Sequence, residues 1–218
     1  MKLPEGVPEE LKPLIKSIPE EIANMVSHGL GALFFVVGVP LLLFQVKDNF
    51  WLLLGCVIFG ISLLMVYFSS TIYHSVYRLF LKRRLRVFDH ISIYFLIAGS
   101  FTPFILVHIQ TTLGWTILGV IWLMVLIGGV FKYFYTHRFN VISTLAYVGM
   151  GCMALFLITP LSENLPEKSL SWLAAGGVSY LLGVPFYLWK KLKFNHLIWH
   201  VFVLGGSVSH YLAVWFLI

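Results

Sequence analysis

Long apolar stretches alternate with short polar ones along the whole chain. Each apolar stretch approaches or exceeds the about 20 residues that a helix needs to cross a bilayer. The pattern predicts seven spanning helices, at about 22–45, 50–80, 88–107, 114–134, 141–160, 170–189 and 196–218. The connecting segments are too short to fold alone. We therefore expect an all-α integral membrane protein, with one seven-helix transmembrane domain at 21–218 and an N-terminal segment, 1–20, that could lie in the membrane interface.

The composition supports membrane insertion and excludes a soluble domain. Hydrophobic residues make up 59% of the chain and charged residues only 11%, whereas soluble domains carry about 25% charged residues. Residues 1–20 lack the apolar core of a cleavable signal peptide. Cys56 and Cys152 fall inside apolar spans, so we expect small hydrophobic side chains there and no disulfide.

The distribution of Lys and Arg predicts the orientation. Positive residues cluster after the second, fourth and sixth spans, as in the run Lys82, Arg83, Arg84 and Arg86. Because such residues mark the cytoplasmic side, we expect the N-terminus to be cytoplasmic and the C-terminus outside. The same clusters suit anionic lipid headgroups, and we expect no nucleic-acid partner.

Several polar residues fall at one predicted depth, in the cytoplasmic half of the bundle. His28 opens the first span, His74 lies near the inner end of the second, and Asp89 opens the third. His196 and His200 open the seventh. Ionisable groups are costly in lipid and usually mark functional sites, so we expect these residues to form one site.

The spacing of the histidines is compatible with a metal centre. His196 and His200 lie four residues apart and share one helix face. They could be a structural pair that bonds to neighbouring helices. With His74 at the same depth, the interpretation as three metal ligands is favoured, because three histidines and one open position are typical of catalytic zinc. Imidazole also suits copper, iron and nickel.

The other polar residues of these spans have less specific roles. Asp89 could stabilise a helix N-terminus, or it could orient a ligand or a water molecule at the metal. Ser70 lies four residues before His74 on the same face. The stripe Glu21, Asn24 and His28 is typical of interhelical hydrogen bonding, so we interpret it as supporting or structural.

Two further histidines are not expected to be ligands. His90 points about 100° away from Asp89 around the helix, which argues against a shared role. His210 lies about 15 Å beyond His200, and we expect it to bond to another helix.

Three fragments resemble the haemolysin III branch of the progestin and adipoQ receptor (PAQR) family. They are Glu21-Ile-Ala-Asn24-Met-Val-Ser-His28, Ser70-Thr-Ile-Tyr-His74 followed by Asp89, and His196-Leu-Ile-Trp-His200. The resemblance implies a seven-helix bundle with an intramembrane zinc ion near the cytoplasmic face. The ligands would be His74, His196 and His200, with Ser70 and Asp89 around a metal-bound water. Relatives of this family include adiponectin receptors and alkaline ceramidases, and its bacterial branch is linked to membrane lipid homeostasis.

We therefore expect a zinc-dependent hydrolase of a lipid amide or ester in the bacterial plasma membrane, with membrane lipids as substrates. Asp89 would accept a proton or orient the water, and Ser70 would hydrogen-bond in the same pocket. The alternative is a non-enzymatic sensor of membrane state, in which zinc only cross-links the second and seventh spans. A pore-forming haemolysin is less favoured, because the polar residues cluster at one side of the membrane. A retinal protein is excluded, since residues 194–218 contain no lysine.

Overall fold

The computed structural model describes residues 16–136 and 138–217. Within these ranges the chain is helical and contains no strand. The helices are α1 (Ile18–Gln45), α2 (Phe50–Ser75), α3 (Leu79–His108), α4 (Thr112–Tyr135), α5 (Asn140–Cys152), α6 (Ile158–Asn164), α7 (Glu167–Leu188) and α8 (Asn195–Trp215). A 3₁₀ turn, Met153–Leu157, joins α5 to α6.

Seven membrane spans follow from these helices, because α5, the 3₁₀ turn and α6 together form the fifth. Helices α7 and α8 are then the sixth and seventh spans. The prediction of an all-α, multi-pass integral membrane protein is confirmed. The side on which each terminus lies stays a prediction.

The first helix begins earlier than the apolar pattern indicates. The Ser17 side chain accepts from the backbone N–H of Glu20, and the Glu20 carboxylate reaches back to the backbone of Ser17. This capping box, with Pro19 in the first turn, starts α1 at Ile18 instead of about 22. Residues 1–15, where an interfacial segment was expected, lie outside the described residues.

The boundary between the second and third spans was predicted wrongly. Helix α2 ends at Ser75 instead of about 80, and α3 begins at Leu79 instead of about 88. The basic run expected in a loop therefore lies on α3. The physical reason is that the Lys82 ammonium is buried and paired with Glu21 of α1, so its charge does not exclude it from the helical bundle.

The fifth span is longer and less regular than expected, covering Asn140–Asn164 instead of 141–160. Its α-helical pattern is interrupted by the 3₁₀ turn. Pro160 follows that turn and has no N–H to donate to the carbonyl four residues earlier, which weakens regular helix there.

The helices do not pack equally closely. Helix α1 packs on α2 and α8, α2 on α3, α3 on α4, and α7 on α8, whereas α5 and α6 contact their neighbours at few positions. A cavity of about 400 Å³ remains between α3, the fifth span, α7 and α8. Most of its lining is apolar, as at Ile97, Phe101 and Leu173.

Candidate metal centre

Three histidines from two helices converge beside this cavity. His74 comes from the last turn of α2, and His196 and His200 come from the first two turns of α8. One nitrogen of each ring lies within 4.8 Å of those of the other two. The three-histidine cluster, His74, His196 and His200, is therefore close enough to share one metal ion.

The ring of His74 is oriented by a carboxylate from α1. Its Nδ1 lies 2.7 Å from Oε2 of Glu21, and both side chains are buried. A carboxylate can only accept, so Nδ1 carries the proton and donates it. The other nitrogen, Nε2, is buried without a hydrogen-bond partner among the described residues, and it is left with a lone pair for a metal.

His200 is oriented in the same way by a different part of α1. Its Nδ1 lies 3.0 Å from Oγ of Ser27 and 3.3 Å from the backbone carbonyl oxygen of Asn24. The Ser27 hydroxyl donates to that same carbonyl at 2.8 Å. Both oxygens can therefore accept from a protonated Nδ1, which leaves the lone pair of Nε2 available to a metal.

Helix α1 thus orients two histidines of the cluster while supplying no member of it. Of its polar stripe, Glu21 contacts His74, and Asn24 contacts His200 through its backbone carbonyl. The ring of His28 stacks on the ring of His200, with centroids 3.6 Å apart and planes 20° apart. Hydrogen-bonded partners of this kind fix the tautomer and direction of metal-ligating histidines.

Ser70 and Asp89 lie close to the cluster. Both line the cavity together with His28, His196 and His200, and we call these five residues the polar end of the cavity. The Asp89 carboxylate is buried. A hydroxyl and a carboxylate therefore line the same cavity as two of the candidate ligands.

His90 lies closer to Asp89 than the helical spacing suggested. Its Nδ1 is 3.4 Å from Oδ2 of Asp89 and 2.9 Å from the backbone carbonyl of Arg86. The two side chains are therefore in contact, while the expectation that they share no role stays a prediction. The imidazole of His90 folds back along α3 to the preceding turn, so it reaches the neighbouring carboxylate.

His210 lies outside the three-histidine cluster, on the side of α8 that faces α7. Its ring lies 5.3 Å from that of Tyr180 and against Gly176. The ring packs against α7, where Gly176 leaves room for it and the backbone at Leu173 offers it a hydrogen bond. The expected bond to another helix therefore has a candidate partner on α7.

Three residues around the cluster were not identified from the sequence. Ser27 lies within the first fragment of the motif set but was not singled out, and Lys82 was assigned to a loop. Lys16, just before α1, lies in the electrostatic field of Glu21; burial lowers the pKa of its ammonium to about 8, and Glu21 opposes this shift. Each of these residues is near the cluster because of contacts between separate helices, which the sequence pattern does not show.

The chemistry of these residues fits a transition metal. Imidazole nitrogens are ligands for zinc, copper, iron and nickel, and two of the three rings have Nδ1 bonded to groups of α1. Beside them the Asn24 amide, both nitrogens of His28 and Oγ of Ser70 are buried without hydrogen-bond partners in the described part of the chain. Buried polar groups are normally paired, so this region is suited to an ion and to small polar groups.

Comparison with known proteins gives the family. Residues 16–211 match the family model described as "Haemolysin-III related". The chain belongs to the haemolysin III family. The resemblance seen in the sequence fragments is thereby confirmed over nearly the whole chain.

Individual relatives agree with this assignment. The chain is 42% identical over 205 residues to "Hemolysin-3 homolog" of Bacillus subtilis (strain 168), covering 92% of this chain and 95% of that protein. It is 39% identical over 210 residues to "Hemolysin-3" of Bacillus cereus, covering 95% and 96%. A human protein, "Monocyte to macrophage differentiation factor", is 30% identical over 204 residues, covering 90% and 83%.

Proposed function

We propose that this haemolysin III protein is a zinc-dependent hydrolase that cleaves an amide or ester bond of a membrane lipid. The observation that carries the proposal is the position of the three-histidine cluster at the polar end of a largely apolar cavity. A lipid has the same division, with a polar head that suits the polar end and a hydrocarbon chain that suits the rest.

His74, His196 and His200 would hold the zinc ion. Three histidine ligands leave a fourth position open for chemistry. When bound, zinc lowers the pKa of a coordinated water toward ~7 and polarises a carbonyl group. Glu21 and Ser27 would keep His74 and His200 in the tautomer with Nδ1 protonated, so that Nε2 faces the metal.

Asp89 and Ser70 would act on the reacting groups. The Asp89 carboxylate would accept the proton of the attacking water and pass it to the leaving amine or alcohol, as a general base and then a general acid. The Ser70 hydroxyl has no hydrogen-bond partner among the described residues. It would donate to the carbonyl oxygen of the lipid.

The rest of the cavity would hold the hydrocarbon chain. Its lining runs from the polar end along α3, the fifth span and α7, through residues such as Phe104, Leu157 and Leu170. An apolar lining favours alkyl chains over water, which weighs against a water-filled pore. Turnover of such a lipid would give the protein a role in membrane lipid homeostasis.

Metal analysis of the purified protein tests the proposal. We expect stoichiometric zinc in wild-type protein and background zinc in His200→Ala, because one of three ligands is lost. His210→Ala removes a histidine of the same helix outside the cluster and should keep its zinc. Correctly folded wild-type protein that neither carries zinc nor binds it when it is added would contradict the proposal.

A further inference from the structure

Lys82 is a buried cation that the proposed chemistry does not use. Its side chain is 3% exposed, although it belongs to the basic run at the start of α3. Its ammonium nitrogen lies 3.1 Å from Oε1 of Glu21, 3.1 Å from the backbone carbonyl of Val76 and 3.3 Å from that of Tyr73. An ammonium has three N–H donors, so these three acceptors use all of them.

The two oxygens of Glu21 are divided between two partners. Oε2 accepts from His74, and Oε1 accepts from Lys82. The terminal torsion of a glutamate is soft, so a carboxylate held at one oxygen can turn about its last bond. Binding at the second oxygen removes that freedom, and the Lys82 charge compensates a carboxylate that would otherwise be buried unpaired.

Lys82 also holds the backbone next to His74. Tyr73 is the residue before His74, and its carbonyl is one of the last of α2, a position without a partner inside the helix. A lysine from α3 therefore restrains His74 from two directions, through the backbone beside it and through the carboxylate on its ring.

We propose that Lys82 is a positioning residue of the metal centre, which holds Glu21 and the end of α2 so that Nε2 of His74 faces His196 and His200. The inference rests on the proposed function in one respect, namely that the three histidines bind a metal. It adds a lysine of α3 to the histidine, serine and aspartate residues of the proposed site.

The test measures metal affinity and geometry on the full chain in detergent, after the metal is removed with a chelator. Co²⁺ is titrated first, because the intensity of its visible absorption reports tetrahedral coordination, and Zn²⁺ then competes for the site. We expect Lys82→Met to weaken metal binding about 10–100-fold, as is usual for groups that support a ligand, and to change the Co²⁺ spectrum. Arg84→Met is the matched control, because Arg84 is an exposed cation on the same turn of α3.

A double variant separates positioning from a general loss of stability. Glu21→Gln alone should weaken binding by a similar factor. Glu21→Gln combined with Lys82→Met should weaken it by less than the product of the two single losses, because part of the Lys82 effect acts through Glu21. The double variant also removes both buried charges, so it tests the proposal even if Lys82→Met alone does not fold.

The outcomes are distinct. If Lys82→Met or the double variant binds Co²⁺ with the affinity and spectrum of Arg84→Met, the positioning role is wrong, while the proposed hydrolase stands. The positioning role is also wrong if the loss of metal affinity in the double variant equals the product of the two single losses, because the two residues would then act independently. A third outcome is that Lys82→Met weakens metal binding as expected while the metal-loaded wild-type protein cleaves no lipid. The hydrolase is then wrong, and the positioning role stands. A wild-type chain that binds no metal overturns both.

Discussion

The surroundings of the three-histidine cluster and the lining of the rest of the cavity differ in how completely side chains fill the space. In the most apolar stretches of α2 and α8, which carry the cluster, 50% and 44% of residues are buried, against 22% in the fifth span and 17% in α7. Polar contacts follow the same division, since Glu21, Ser27 and Lys82 tie α1, α2, α3 and α8 together. The molecule combines closely packed helices around the cluster with a cavity whose apolar lining leaves space for a hydrocarbon chain.

Glycines show the same contrast at single positions. A Cβ at Gly55 of α2 would lie 2.6 Å from the Cα of Pro103 of α3, and one at Gly31 of α1 would collide with the ring of Tyr67. These glycines allow neighbouring helices to approach closely. Gly151 and Gly177 line the cavity, and a Cβ there would meet nothing within 4 Å.

The largest effect is expected from Asp89→Asn, which tests whether the closely packed region performs the chemistry. The amide keeps the shape of the side chain but cannot take up the proton, so turnover should fall about 10²–10⁴-fold while the metal stays bound. Lipid hydrolysis and metal content are measured on the same preparation. Asp48→Asn makes the same change on an exposed loop residue and should leave both unchanged.

A sensor whose metal is only structural would respond differently to Asp89→Asn. It would show no lipid hydrolysis in the wild type and no loss in the variant. Wild-type turnover that persists in the variant would instead remove Asp89 from the reaction and leave the hydrolase in place.

A smaller effect is expected from a matched pair of glycine substitutions, which tests the difference in packing. Gly55→Ala should lower the free energy of unfolding by about 1–3 kcal/mol, because a backbone atom of α3 must move. Gly177→Ala should be neutral or slightly stabilising, since alanine favours helix over glycine. Thermal unfolding in detergent compares the two, and equal losses would contradict the contrast between the regions.

The smallest effect is expected from Gly177→Phe, which tests whether the cavity selects the hydrocarbon chain. The ring would occupy part of the cavity, so turnover of long-chain lipids should fall several-fold while short-chain analogues are spared. A series of acyl amides of increasing chain length measures this, with zinc content as the control. Equal loss for all chain lengths would show that the cavity does not hold the chain.

Most features that depend on residues close together in the sequence were predictable, and most features that depend on residues far apart in the sequence were not. The spans follow from apolar length, because the bilayer imposes it, and the pairing of His196 with His200 follows from the helical repeat. The start of α3 was missed, because the burial of Lys82 depends on Glu21, which lies 61 residues away in the sequence. The contact between His90 and Asp89 was missed because helical spacing does not give the side-chain torsions that direct the imidazole ring of His90.

The sequence by itself determined an all-helical, seven-span membrane protein of the haemolysin III family and the identity of the polar residues in its spans. Local periodicity and the cost of charge in lipid are sufficient for that. Only the tertiary structure decided that α1 orients His74 and His200, that Lys82 lies behind Glu21, and that the cluster opens onto an apolar cavity. Each of these depends on which atoms of separate helices come within hydrogen-bonding distance, and helix packing sets those distances.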